Sequence, residues 1–190
     1  MKKISNRDHV IASASALFLQ KGLMNTSMDD VVAQSKVSKS NIYYHFKSKE
    51  ELVVAVLDYR VQLLRTVLDE IAQSRDWTAA RRIEQIFAAL ADELNGRDCV
   101  GGCPILSLLS AQIPQVRVRI HAFMRELQGV AEKVLREGVE RKEFKAGIPV
   151  PETAALLITI LEGAMQLAES YGNTEAFIKA GATFLHLIQV

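Results

Sequence analysis

Cysteine is nearly missing from this 190-residue sequence, which has only Cys99 and Cys103. Two cysteines four residues apart close only a very small loop, and this excludes the stapled framework of a disulfide-rich secreted domain. No run of eighteen or more uncharged apolar residues occurs, and the opening Met1-Lys2-Lys3-Ile4-Ser5-Asn6-Arg7-Asp8 lacks the apolar stretch of a signal peptide. These absences predict a soluble, cytoplasmic protein with no membrane partner. Clean period-two alternation is absent as well, which argues against strands. Phosphate-loop, dinucleotide, metalloprotease and nucleophile-elbow motifs are all missing, which leaves an all-helical enzyme as a lesser alternative to a binding protein. His121 stands alone, and no second Cys or His pair sits at ligand spacing, so neither a metal nor a cofactor is expected.

What is present is a divided charge. The formal net charge is +1, but residues 1–50 hold eight Lys/Arg against four acids, a net of +4, and the remainder holds fifteen against eighteen, a net of −3. A basic first quarter on a mildly acidic remainder points to a polyanion met by the front end alone. Apolar residues recur three and four apart, so the fold class is all-α. Ser5 with Asp8, Ser27 with Asp30 and Ser48 with Glu51 have capping-box spacing and open the first, second and fourth helices, and Ser38 caps a short third one. Later breaks fall at Trp77-Thr78, Asn95–Asp98, Gly101–Pro104, Ile113-Pro114 and Gly147–Pro151. They leave helices over 83–94, 114–142, 151–170 and 174–188. The expected division is 1–50 for an N-terminal head and 51–190 for a helical body, joined through the long fourth helix.

Two short helices around a tight turn within Ser27–Phe46 have the plan of a helix-turn-helix, whose second helix enters the major groove of double-stranded DNA. Ile42 and Phe46 lie four apart and face inward, which leaves Lys39, Ser40, Tyr43 and Tyr44 on the outer face. A cation and three hydroxyls on one short face suit phosphates and base edges. The N-termini capped by Ser27, Ser38 and Ser48 add backbone N–H groups for phosphate.

The runs Asp29-Asp30-Val31-Val32-Ala33 and Val37 through Leu52, with Ala16, Phe18 and Gly22 upstream, resemble the signature of TetR-family repressors over about the first sixty residues. The resemblance implies that Lys39, Ser40 and Tyr43 approach bases or adjacent phosphates. It further implies that Tyr44, His45 and Lys49 hold the backbone, together with Thr26 and Ser27. With Lys36 and Ser38 of the turn, these form the candidate DNA-binding set. Lys36 is a departure, since relatives usually carry Gly there, and a left-handed backbone at Lys36 costs about 1 kcal/mol. His45 also suits a plain role at the C-terminal dipole of its helix.

The resemblance further implies a homodimer, a small-molecule effector and release from a palindromic operator, against the alternative of constitutive DNA binding. Apolar surface on the last two helices suggests a dimer interface at Leu157, Leu161, Ala164, Phe177, Gly181 and Phe184. Candidate walls of a ligand pocket are Phe87, Cys103, Leu106, Met124 and Met165, each of which also reads as plain core. Gly101-Gly102-Cys103-Pro104 resembles a segment that starts the sixth helix in a subset of TetR-like regulators. With Pro104 as first helical residue, the Cys103 sulfur would lie at a helix N-terminus and be reactive; the other reading is a small buried residue.

Overall fold

A computed structural model describes residues 5–74 and 76–190, so Lys2 and Lys3 of the basic first quarter lie outside the described residues. The described chain is helical: α1 Asn6–Gln20, α2 Met28–Ser35, α3 Lys39–His45, α4 Lys49–Ala72, α5 Ala79–Asn95, a 3-10 helix Leu106–Ala111, α6 Pro114–Glu140, α7 Val150–Tyr171 and α8 Glu175–Ile188. It divides into two compact units. The first runs to Leu64 and takes in Cys103–His121; the second comprises Arg65–Gly102 and Ala122–Val190.

In the first unit the expected caps set the helix starts. Ser5 Oγ accepts the Asp8 N–H at 3.1 Å, and α1 then buries Val10, Ile11, Ala14, Leu17 and Phe18 until the chain turns at Gly22, φ +79°. Ser27 and Asp30 exchange both bonds of a capping box at the start of α2. At α4 the box is displaced: Glu51 donates its N–H to Ser48 Oγ at 3.3 Å, but its carboxylate accepts from the Lys47 N–H at 2.7 Å. Leu52, Val53, Val56 and Leu57 are buried to within 1%. The Arg60 guanidinium reaches back to Ser15, donating to its Oγ at 2.9 Å and its carbonyl at 2.7 Å, and it also donates to the Pro104 carbonyl. The first half of α4 therefore folds with the N-terminal helices, and the compact boundary falls at Leu64 rather than at the residue 50 drawn from the sequence.

The turn between α2 and α3 passes through Lys36 with φ 56° and ψ 17°, a left-handed conformation that crowds Cβ in every residue but glycine. Lys36→Gly should raise stability by about 0.5–1 kcal/mol, the strain relieved less the extra freedom of glycine in the unfolded chain. A higher urea midpoint at unchanged slope is the expected result, with Lys36→Ala unchanged as the control.

Within the second unit α8 packs on α5 and α7. The Phe87 and Phe177 rings lie 5.2 Å apart, and a Cβ at Gly181 would come 2.6 Å from the Phe87 ring, so glycine is what lets α8 approach α5. Thr78 caps α5 through the Arg81 N–H at 3.0 Å, which begins this helix at Ala79, earlier than the apolar pattern implied. Arg65 and Glu126 form a bidentate pair with both contacts at 2.7 Å. Arg82, 2% exposed, donates to the Glu137 carboxylate at 2.6 Å and to the Ala72 carbonyl at 3.0 Å.

The segment after Cys103 differs from expectation. No α-helix begins at Pro104; the short 3-10 helix starts at Leu106, and Cys103 Sγ accepts the Leu106 N–H at 3.4 Å. Residue 103 is in the first unit, whereas its approach, with left-handed Asp98, Cys99, Gly101 and Gly102, belongs to the second.

Candidate nucleic-acid interface

The periodicity of α3 separates an inner face from an outer one. Ile42 and Phe46 are fully buried against the head, while Tyr43 and Tyr44 are 37% and 73% exposed. Lys39 and Ser40 are exposed on the same short helix. Ser38 Oγ accepts the Asn41 N–H at 3.4 Å and lies 3.3 Å from Ser40 Oγ, so the cap and a candidate base-reading hydroxyl share one hydrogen bond. Tyr44 and His45 meet edge to face with centroids 5.1 Å apart. His45 is half-buried at the helix end, where the sequence reading also placed a dipole role.

Several cations of the head are engaged inside the chain. Lys39 Nζ donates to Asp29 at 2.7 Å, and the carboxylate raises the lysine's pKa. Lys21 donates to Asp30 at 3.0 Å. Hydrogen bonds from the Ser27 side chain and backbone, followed by the one from Lys21, hold the Asp30 carboxyl well below the usual range. Lys47 Nζ donates to the Tyr43 and Tyr44 carbonyls at 3.0 and 3.3 Å and lies 5.9 Å from the Tyr44 ring centroid, so it caps α3 and braces the exposed tyrosine. The Arg7 guanidinium stacks 5.5 Å over the Phe46 ring.

Two residues of the candidate set are placed otherwise than expected. Thr26 is 1% exposed and its hydroxyl donates to the Gly22 carbonyl at 2.9 Å, so it closes the α1–α2 corner and presents nothing to a phosphate. Lys49 Nζ donates to the Leu23 carbonyl at 2.7 Å, a tie that holds the start of α4 to the same corner. Ser27, Lys36, Ser38, Lys39, Ser40, Tyr43 and Tyr44 are exposed. The sequence reading missed Asp29 and Lys47. The partner of Asp29 is ten residues away across a turn, beyond the reach of any helical spacing rule.

Most of the interface residues assigned to the last two helices lie inside their own chain. Leu157, Ala164, Phe177, Gly181 and Phe184 are buried inside their own chain, and Leu161 is half-buried. Phe177 and Gly181 are occupied by Phe87. Side chains already covered by their own fold have little surface left for a partner. The outward faces instead carry Leu156, Leu167, Ile178 and Leu187, exposed by 49, 46, 52 and 60%, with Gly163 also exposed. Among the pocket candidates Phe87 and Met165 are core of the second unit and Met124 is half-buried there; Cys103, buried, and Leu106, half-buried, belong to the first.

Known proteins share this plan. Residues 10–56 match the family described as bacterial regulatory proteins, tetR family, and residues 79–184 match the tetracyclin repressor-like C-terminal domain. The HTH-type transcriptional repressor DhaR of Mycobacterium sp. strain GP1 is 25% identical over 175 residues, 92% of this chain and 88% of its own length. A regulatory protein TetR from Rhodobacter sphaeroides superposes with a TM-score of 0.90 at 16% identity, covering 96% of this chain and 98% of the other. The reduced form of NemR from Escherichia coli does so at 0.85 and 22%, covering 96% of each chain. These two share the fold. Since the second family domain alone spans more than half of the sequence and the first covers the helix-turn-helix, this chain belongs to the TetR family and is a DNA-binding transcriptional regulator, not an enzyme.

Proposed function

We propose that the chain is a homodimeric repressor that holds a palindromic operator through α3 and releases it in response to a small molecule or an electrophile. The observation that carries this reading is the outer face of α3, where Lys39, Ser40, Tyr43 and Tyr44 are exposed on a helix anchored by Ile42 and Phe46. Ser27, Ser38 and Lys36 supply further contacts to the phosphate backbone. Dimerisation uses the outward apolar faces of α7 and α8. By length and composition alone α7 is apolar enough to cross a membrane. Its place within the matched C-terminal domain supports a partner helix rather than lipid as its cover, and with it a cytoplasmic protein. Two recognition helices must reach major grooves about 34–36 Å apart, so a signal that changes their separation lowers affinity.

A gel-shift titration against duplexes selected from a random-sequence library tests the reading. Retention of a palindrome at nanomolar protein is expected, with release by an effector; failure to enrich any duplex would remove it. Affinity unaltered by any effector would favour constitutive binding instead.

The electrophile branch rests on Cys103, whose sulfur accepts the Leu106 N–H at 3.4 Å at the start of a helical turn. NemR, whose solved structure is described as a reduced form, supports a redox reading by likeness. Limiting alkylation followed by mass spectrometry should label Cys103, 6% exposed and placed at the start of a helical turn, several-fold faster than Cys99, which is 2% exposed. Equal slow labelling of both would reduce Cys103 to a core residue and leave a non-covalent effector as the signal.

A further inference from the structure

One of the engaged cations lies on the face that meets DNA. Lys39 opens α3, and its ammonium donates to the Asp29 carboxylate at 2.7 Å across the turn from α2. Both side chains are open to solvent, at 60% and 74%. The α2 cap does not account for Asp29, because Ser27 and Asp30 form the capping box between them and Lys21 pairs with Asp30.

An ammonium with a carboxylate at this distance presents almost no net charge to a duplex. Attraction to phosphate and release of counterions both follow the charge that a protein adds, so the paired lysine contributes little to sequence-independent affinity. It keeps its donors: of three N–H groups one goes to Asp29 and two remain. In the major groove a lysine donor finds guanine O6 and N7, and a neighbouring carboxylate can accept from cytosine N4. A cation masked in this way discriminates between bases while taking no part in indiscriminate backbone binding.

We propose that Asp29 is a specificity-determining positioning residue, which holds the Lys39 ammonium away from phosphates and directs it to the O6/N7 edge of a guanine in each operator half-site. The proposal rests on α3 being the recognition helix. Unpaired, Lys39 would swing to the nearest phosphate, raising affinity for every duplex and blurring the choice among them.

The test compares wild type, Asp29→Asn, Lys39→Ala and the double variant on two probes: a duplex selected from a random library by the wild-type protein, and an unrelated duplex of equal length. Asp29→Asn should bind the unrelated duplex about five- to eightfold more tightly at about 0.1 M salt, with the logarithmic salt slope steeper by about 0.9, the increment for one added phosphate contact. Affinity for the selected duplex should rise less, so the specificity ratio falls about threefold or more. In the Lys39→Ala background the same change should gain less than about twofold, because no ammonium is there to release. Lys39→Ala alone should lose the preference for one G·C pair per half-site, at which the wild type discriminates by about five- to a hundredfold.

Equal gains on both probes, equal gains in both backgrounds, or no gain at all would overturn the role of Asp29. If Lys39→Ala weakens selected binding while Asp29→Asn changes nothing, only this inference falls. If Lys39→Ala and Tyr44→Phe both leave binding of the selected duplex intact, the assignment of α3 falls and the inference with it.

Discussion

Glutamate at both Ile178 and Leu187 should convert the protein to monomers and lower its affinity for a palindromic operator by about a hundredfold or more, the loss expected when two linked half-site contacts become one. The two side chains are exposed on α8 by 52 and 60%, and burying them against a twofold mate removes apolar area from water on both sides of the interface. Two carboxylates per chain at such a contact would be desolvated without partners. Because both positions are open in the single chain, the fold itself should survive, with far-UV dichroism and the melting temperature close to wild type. Phe184→Glu is the informative contrast. Its side chain is 1% exposed, so a charge there should unfold the second unit rather than split a dimer. Sedimentation velocity on the double variant decides the matter, and a dimer that persists at micromolar concentration would move the interface elsewhere.

Removing the carboxylate of Glu137 should destabilise the protein by about 3 kcal/mol, through the partner it leaves behind. Arg82 is 2% exposed, and its Nε already has no hydrogen-bond partner among the described residues. Without Glu137 its guanidinium keeps, among the described residues, only the Ala72 carbonyl. Glu137→Ala should therefore cost far more than the combined change Arg82→Met with Glu137→Leu, which removes the charge together with its counter-charge. The pair also predicts a pH dependence. The hydrogen bond from Arg82 holds the Glu137 carboxyl below its ordinary value of 4.5, opposed in part by its desolvation. The unfolded chain thus takes up this proton before the folded one does. The resulting stabilisation is complete above pH 4.5 and is lost as pH falls through the lower folded-state value. Glu137→Gln should flatten this acid limb in urea titrations at a series of pH values. An unchanged limb would place the acid sensitivity with other carboxylates.

Most helix starts were legible in the sequence because their causes are local. A serine and an acid three residues apart satisfy two backbone groups wherever they occur, and Ser27 with Asp30 does so as its spacing implied. Ile42 and Phe46 point inward and Tyr43 and Tyr44 outward for an equally local reason, since a helix returns to the same face every three to four residues. Lys36 could be recognised as a departure from glycine, and the backbone there is left-handed as that position demands.

Other features depend on residues far apart in the chain. The ties from Lys49 to Leu23 and from Arg60 to Ser15 bridge 26 and 45 positions, and no spacing rule announces either. Thr26 shows the same limit, since its hydroxyl is equally suited to a phosphate or to the Gly22 carbonyl until the corner closes over it. In α7 and α8 the ambiguity is deeper, because both faces are apolar. Periodicity identifies a surface that must be covered, while the packing of Phe87 on Phe177 and Gly181 decides which side the chain itself covers.

The sequence by itself thus determined the all-helical class, the helix-turn-helix and its outward residues, since caps, turns and helical faces are set by neighbours within a few positions. Tertiary structure alone decided that Lys39 pairs with Asp29, that Thr26 and Lys49 turn inward, and that Leu156, Leu167, Ile178 and Leu187 face outward. Each of those outcomes is a competition between chain and solvent for one side chain, and its winner depends on which distant segment the fold brings alongside.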